Sequence, residues 1–119
     1  MIAVIFEVLP YMGERHTYLD LAGELRAELE KMDGFISIER FESLTIRGKV
    51  LSLSFWRDEE AVRKWRNNAR HRQSQAAGRG GIFAEYRLRI GEVLRDYGMN
   101  DRAQAPSDSR AAHESQTAL

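Results

Sequence analysis

A chain of 119 residues is long enough for one small domain, and its 18 basic and 18 acidic residues leave no net charge to draw it to nucleic acid or anionic lipid. The absence of cysteine excludes disulfides, thiolate metal sites and thiol nucleophiles. A small domain buries a modest share of its surface, so self-association is expected to add core. We therefore expect a cytoplasmic domain that binds neither nucleic acid nor a membrane.

The first predicted element is a buried strand from Ile2 to Leu9. It is a short run of branched and large apolar residues that ends at Pro10. The run carries Glu7, lacks a basic flank and is too short to span a bilayer, so it fits neither a signal peptide nor a membrane segment. Glu7 has two interpretations: pairing with an arginine of a neighbouring strand, which we favour, or an acid that faces a ligand.

A helix and a hairpin are predicted next. From Arg15 to Met32 the apolar residues recur at three- and four-residue steps, which is typical of an amphipathic helix. Residues 35–41 and 50–56 alternate between apolar and polar side chains, and Gly48 is suited to the turn between them. These two segments predict a pair of antiparallel strands.

Asp58 marks the start of a second helix. An aspartate is a good N-cap, and the two glutamates after it occupy the first turn, where the helix dipole favours anions. We expect an irregularity at Asn67 and Asn68 and an end at the glycines of residues 78–81. The arginines of this segment are interrupted by acids and fall on outward positions, so they favour a solvated face over a phosphate-binding surface. The remaining alternative is that they steer an anion or a substrate carboxylate.

A long final strand is predicted over residues 82–94, and residues 99–119 are expected to form a disordered tail. The order β-α-β-β-α-β over residues 1–98 is that of the ferredoxin-like α+β unit, whose helices cover one face of the sheet. The first strand is apolar on both faces, so the second face needs a cover. The sheet of a second subunit is the simplest cover, which predicts a homodimer.

Motifs for metals and nucleotides are missing from the sequence. His16, His71 and His113 are isolated from one another, and no carboxylate stands at metal-ligand spacing from them. There is no glycine-rich phosphate loop before a helix and no serine nucleophile elbow. We expect no metal and no cofactor.

Trp65 can be a core residue or the wall of a cleft. It shares a helical face with Val62 and Ala69 and should point toward the sheet. Most tryptophans of this kind fill a core. The alternative is that Trp65, beside Asn67, Asn68 and His71, lines a site where an aromatic ligand stacks and meets a few polar groups.

Three stretches carry a resemblance to a known family: DGFISIERFESL, VLSLSFWRDEEAVRKWRNNARHRQSQAAGR and FAEYRLRIGEVLRDYG. With them, the chain from Ile2 to Gly98 resembles the antibiotic biosynthesis monooxygenase (ABM) family. The resemblance implies a ferredoxin-like protomer whose antiparallel sheet packs against that of its mate to form a dimeric α+β barrel. It also implies a cavity between sheet and helices.

In some members of that family, the resemblance further implies cofactor-independent oxidation of a phenolic, quinol or polyketide-like aromatic substrate by O₂. The deprotonated substrate supplies the electrons there, so the protein must bind it, orient it and stabilise an anion. Those members place a tryptophan on the second helix and a tyrosine six residues later; Trp65 matches the first, and His71 stands at the second. The resemblance thus makes Trp65 a stacking wall. His71 is the candidate for general base or oxyanion partner, because the unperturbed pKa of histidine lies near neutrality. The candidate substrate contacts are Trp65, Asn67, Asn68, Glu7, Phe6, Gln75 and Tyr86.

Two alternatives stay open. Haem-degrading members carry a strand-one asparagine and a histidine ten residues after the tryptophan, whereas this chain has Phe6 and Glu7 in strand one and Gln75 at the histidine position. His71, one turn earlier, is the one substitute for an axial ligand. The other alternative is a dimeric small-molecule-binding protein without enzymatic activity.

Overall fold

The computed structural model describes residues 1–68, 72, 73, 76 and 78–117. These residues form a four-stranded antiparallel sheet in the order β2-β3-β1-β4, with helices interleaved along the chain. The elements are β1 (Ile2–Pro10), α1 (Arg15–Glu30), β2 (Phe35–Glu42), β3 (Val50–Trp56), α2 (Glu59–Arg66), a π-helical turn (Gly78–Ile82), β4 (Phe83–Glu92) and α3 (Ser107–Thr117). The predicted α+β class and the order β-α-β-β-α-β of a ferredoxin-like unit are confirmed.

The two faces of the sheet differ in what they contact. Strand β1 is central, paired with β3 on one side and β4 on the other, and its successive side chains alternate between the faces. Ile2 and Val8 are buried on the face that the helices cover. Ile5 and Leu9 lie on the opposite face and keep partial exposure. We call these the helix face and the outer face.

The core on the helix face consists of two clusters of buried side chains. One cluster centres on Trp56 and includes Leu29 of α1, and the other joins Val8 to Tyr18 of α1. Helix α1 therefore packs against both ends of the sheet. Between the clusters β3 contributes Ser52, whose small side chain leaves space over the middle of the sheet.

Helix α2 begins where Asp58 predicts. The Asp58 side chain accepts a hydrogen bond from the Ala61 N–H at 2.9 Å, which satisfies one of the free donors of the first turn. The helix sits so close to the turn before β2 that a Cβ on Gly34 would lie 2.6 Å from the Ala61 Cβ. Gly34 also has φ of +87°, so both the turn and the close packing require glycine there.

Two arginines of this region pair with acids, as expected of a solvated face. Arg57 binds Asp33 at 3.0 Å, and Arg63 binds Glu60 at 2.6 Å. Hydrogen bonds from Arg57 to the Asp33 side chain, together with the positive charge of Arg57, hold the pKa of Asp33 below its usual range. The Arg57–Asp33 pair links the residue before the α2 cap to the turn that precedes β2.

Some boundaries differ from the sequence-based ones. Helix α1 ends at Glu30, two residues before Met32, and β4 begins at Phe83 after the π-helical turn. Helix α2 ends at Arg66, so the expected irregularity at Asn67 closes the helix. Residues 99–119 were expected to be disordered, and the structure places α3 within them, preceded by a buried Ala105.

Among the described residues, no helix combines the length and the apolar character needed to cross a bilayer.

Candidate active site

A cavity of about 380 Å³ lies between the helix face of the sheet and the helices α1 and α2. Its volume falls within the range usual for small-molecule sites. The aromatic residues that line it are Phe6, Tyr18, Trp56, Trp65, Phe83 and Tyr86. The lining is therefore suited to a ligand with an apolar ring or chain.

Trp65 is half core and half wall. Its ring packs on the buried cluster around Trp56, with the two ring centroids 6.4 Å apart, yet Trp65 keeps partial exposure and lines the cavity. Helix α2 places it there because Val62, three residues earlier, is buried on the same helical face. Trp65 thus contributes both to the core and to the cavity wall, and its stacking on an aromatic ligand stays a prediction.

Phe6 and Tyr86 form the opposite part of the wall. Phe6 points from β1 to the helix face, and its ring centroid is 5.8 Å from that of Tyr86 and 5.9 Å from that of Phe83. Tyr86 lies on β4 opposite Val8 and is 40% exposed. The structure therefore brings together three of the predicted contacts: Phe6, Trp65 and Tyr86.

A polar strip crosses the floor of the cavity. Ser54 accepts a hydrogen bond from Trp56 Nε1 at 2.9 Å, which satisfies the indole donor of a fully buried ring. Arg40 of β2 lies directly opposite Ser52 of β3, and both line the cavity. Arg40 Nε is buried and finds no hydrogen-bond partner among the described residues.

The charged side chains of the lining are all basic. Arg40, Arg66 and Arg72 contribute to it, and the described lining residues include no aspartate or glutamate. Arg72 is positioned by Asn67, since its Nη2 donates to Asn67 Oδ1 at 2.9 Å. The cavity can therefore stabilise negative charge on a ligand.

Asn67 and Asn68 serve the helix end and not the cavity lining. Asn67 caps α2, and its Nδ2 donates to the carbonyl of Arg63 at 2.9 Å. The backbone N–H of Asn68 bonds to the carbonyl of Trp65. Neither is among the described residues that line the cavity. Asn67 contributes to the cavity indirectly, because it positions Arg72, which lines the cavity.

Glu7 lies on the outer face, away from the cavity. Its carboxylate is 3.4 Å from Lys49 Nζ and 3.3 Å from Arg89 Nη1. Partial burial opposes its ionisation, but hydrogen bonds and attraction from Lys49 and Arg89 outweigh that effect and lower the pKa of Glu7. The favoured interpretation, pairing with an arginine of the neighbouring strand, is confirmed. The assignment of Glu7 as a substrate contact is corrected, because successive strand residues alternate between faces and Phe6 takes the cavity side.

His71 and Gln75, the candidate base and a candidate substrate contact, lie outside the described residues. The sequence-based prediction of site residues did not include Arg40, Ser52 or Ser54, which line the cavity. Two serines at alternate positions of an otherwise apolar strand were the signal for a polar floor.

The described lining residues include no histidine, cysteine or methionine, and His71, the candidate axial ligand of a haem, lies outside the described residues. Haem iron takes an axial histidine, cysteine, methionine or tyrosine. His16 is exposed on α1 beside Asp20, and His113 is exposed on α3, so neither reaches the cavity. The tyrosines of the lining are Tyr18 and Tyr86, both engaged in aromatic packing with Phe83.

A ferredoxin-like antiparallel sheet with an aromatic, basic cavity under two helices defines the chain as an α+β protein of the ferredoxin-like class. The family profile described as antibiotic biosynthesis monooxygenase matches residues 1–77. The chain belongs to that family.

The chain is also similar to individual known proteins. The chain is 46% identical over 101 residues to the jasmonate monooxygenase ABM of Pyricularia oryzae, a match that covers 85% of this chain and 47% of the relative. The chain thus spans about half the length of the curated relative it matches. Its fold is similar to that of a putative antibiotic biosynthesis monooxygenase from Deinococcus radiodurans, with a TM-score of 0.75, 13% identity, and coverage of 83% of this chain and 98% of that one. A protein from Mycobacterium tuberculosis gives a TM-score of 0.73 at 18% identity, covering 82% and 98% of the two chains.

Proposed function

We propose that this chain is a monooxygenase that oxidises a phenolic, quinol or polyketide-like aromatic substrate with O₂ in the cavity beneath Trp65. The observation that carries the proposal is the combination of an aromatic lining with three arginines and no described acid. Aromatic walls stack on the substrate, and the positive field favours its deprotonated form. Membership of the family supports the reaction type.

The proposed reaction proceeds without a bound cofactor. A base, for which His71 is the candidate, removes a proton from the substrate, and the resulting anion passes electrons to O₂ and binds it as a peroxide. Loss of water from the peroxide leaves a carbonyl, so that a CH₂ group and O₂ become C=O and H₂O. The substrate supplies all four electrons, and one oxygen atom enters the product. The protein's part is to orient the substrate, hold its negative charge and exclude water.

Jasmonate is a second substrate to test. We include jasmonate because the relative from Pyricularia oryzae is named a jasmonate monooxygenase. That relative is about twice as long as the matched region. Jasmonate, like the aromatic substrates, contains a ring, and the aromatic side chains of the cavity can pack against that ring. The relative's identity of 46% supports a similar apolar site in both proteins.

The test is oxygen uptake with purified protein and a panel of anthrone, a naphthalene hydroquinone and jasmonate. We expect uptake above the uncatalysed rate with at least one of them, a product heavier by the incorporated oxygen in ¹⁸O₂, and a marked loss of rate in Trp65→Ala and His71→Ala. Leu44→Ala is the matched control, because Leu44 is fully exposed in the β2–β3 loop. Equal rates for all variants would remove the assignment of Trp65 and His71.

We also propose that the outer face packs against a second copy of the chain. The outer residues of β1 and β3 are largely apolar, and Ile5, Leu53 and Phe55 are only partly covered within one chain. Proteins of the family are commonly dimeric. An apolar sheet face of this kind is typical of an interface.

A further inference from the structure

We propose that the substrate of this cavity carries a carboxylate, that Arg40 binds it, and that Ser52 donates a second hydrogen bond to it. The inference rests on the proposed function in taking the cavity as the substrate site. It narrows the substrate class to an organic acid: an apolar ring system or chain with a carboxylate at one end.

The first support is a row of four side chains across the helix face. In register, Arg40 of β2 lies opposite Ser52 of β3, Ser52 lies opposite Phe6 of β1, and Phe6 lies opposite Leu88 of β4. All four line the cavity, and neighbours in such a row stand about 5 Å apart. The row is polar at its β2 end and apolar at its β4 end. A ligand that matches it has a polar head and an apolar body.

The second support is the unsatisfied Nε–H of Arg40. Its Nε is buried without a hydrogen-bond partner among the described residues. Buried charged donors are normally paired, because leaving one unpaired forfeits its hydration with nothing in return. The Nε–H and one terminal N–H of an arginine form a fork that matches the two oxygens of a carboxylate. A carboxylate at this place would supply the acceptor that the protein lacks.

The third support is the sign of the charge around the cavity. Arg66 and Arg72 join Arg40 in the lining, and the described lining residues include no aspartate or glutamate. Glu39, which precedes Arg40 in β2, lies on the outer face. The charged side chains of the described lining are therefore all positive, and an anionic ligand meets a favourable field there.

The experiment compares matched acids and esters by calorimetric titration of the 119-residue chain. The pairs are 2-naphthoate with its methyl ester and jasmonate with its methyl ester. We expect each acid to bind about 10- to 100-fold more tightly than its ester, the range of a hydrogen bond to a charged group. Arg40→Met should weaken binding of the acids, leave that of the esters nearly unchanged, and bring the ratio close to one. Arg47→Met, in the exposed β2–β3 loop, should keep the wild-type ratio.

Two results would overturn the inference: equal affinity of wild type for acid and ester, or an acid preference that survives Arg40→Met. Should Arg40→Met not fold, Arg40→Lys serves instead, since it keeps the charge and loses the fork; an undiminished preference there also counts against Arg40.

Oxygen uptake separates this inference from the proposed function. Acid preference without uptake on any substrate would retain the carboxylate site and refute the oxygenase. Neutral quinols oxidised as fast as matched acids would retain the oxygenase and refute the carboxylate site.

Discussion

The indole of Trp65 lies against the indole of Trp56, with the ring centroids 6.4 Å apart and the planes inclined at 31°. Trp56 is fixed: it is 1% exposed, and its Nε1 is hydrogen-bonded to Ser54. Trp65 keeps partial exposure and lines the cavity. Trp56 thus stabilises the core, and Trp65 presents part of its ring to the cavity.

Replacing Trp65 should weaken ligand binding. We expect Trp65→Ala to lower the affinity for 2-naphthoate by at least the two- to tenfold that aromatic contacts contribute, whereas Trp65→Phe, which keeps a ring, should lose about half of that effect or less. Calorimetric titration measures both. Equal losses in the two variants would mean that ring stacking is not what Trp65 provides.

Ser54 should matter to stability because of the indole it satisfies. In Ser54→Ala the buried Trp56 Nε1 loses its acceptor, and we expect the free energy of unfolding to fall by about 1–3 kcal/mol. Ser52→Ala is the matched control, since Ser52 is equally buried on the same strand and is not the acceptor for Trp56. We expect a smaller loss there. Urea unfolding of both variants makes the comparison, and similar losses would refute the assigned role.

Arg40 should stabilise the ligand-bound protein and destabilise the free one. Its buried Nε has no partner among the described residues, so Arg40→Met removes an unsatisfied donor while keeping an apolar side chain. We expect the ligand-free variant to unfold at the same temperature as wild type or higher. With 2-naphthoate present, the order should reverse, because only wild type gains the binding free energy of the carboxylate. A melting temperature that drops without ligand would show that Arg40 is paired in solution.

The periodicity of the sequence predicts the fold, but a bulge in β2 prevents it from predicting that Arg40 faces the cavity. Strand β3 was predicted with its observed bounds, 50–56, because its alternation is regular. In β2 a bulge between Phe35 and Ser37 adds a residue, so that Phe35, Ile38 and Arg40 share the helix face. Simple alternation counted from Phe35 puts Arg40 on the outer face. A one-residue shift reverses every side chain after it, and the sequence has no clear signal for it.

Other parts of the site depend on contacts far apart in the chain. Trp65 could be recognised from helical spacing together with the family resemblance, since both place it over the sheet. The pairing of Glu7 with Lys49 and Arg89 depends on strand order and register, which join residues 82 positions apart. Sequence alone left that pairing as one of two alternatives. Alternation does show that Glu7 and Phe6 cannot both face the cavity.

The Glu7 ion pairs should make stability depend on acid pH. The pKa of Glu7 is lowered in the folded protein, while an unfolded glutamate has a pKa of about 4.3, so the ionised form stabilises the fold. That contribution is complete above the unfolded pKa and is lost as the pH falls through the lower, folded pKa. We expect Glu7→Gln to be less stable than wild type at pH 7, with a difference that narrows as the pH falls below the unfolded pKa. Urea midpoints measured at one protein concentration test this, and a difference at pH 3 as large as that at pH 7 would contradict it.

The outer face should control oligomeric state. Leu53 lies at the middle of that face, opposite Ile5 of β1 and Glu39 of β2, so Leu53→Glu places a charge in the centre of the proposed interface. We expect sedimentation to give about twice the 13.7 kDa chain mass for wild type and a monomer for the variant, because a buried unpaired carboxylate opposes association. Leu44→Glu adds the same charge to a fully exposed loop residue and should leave the dimer intact. Wild type that sediments as a monomer at micromolar concentration would refute the interface, and so would a Leu53→Glu dimer as tight as the control.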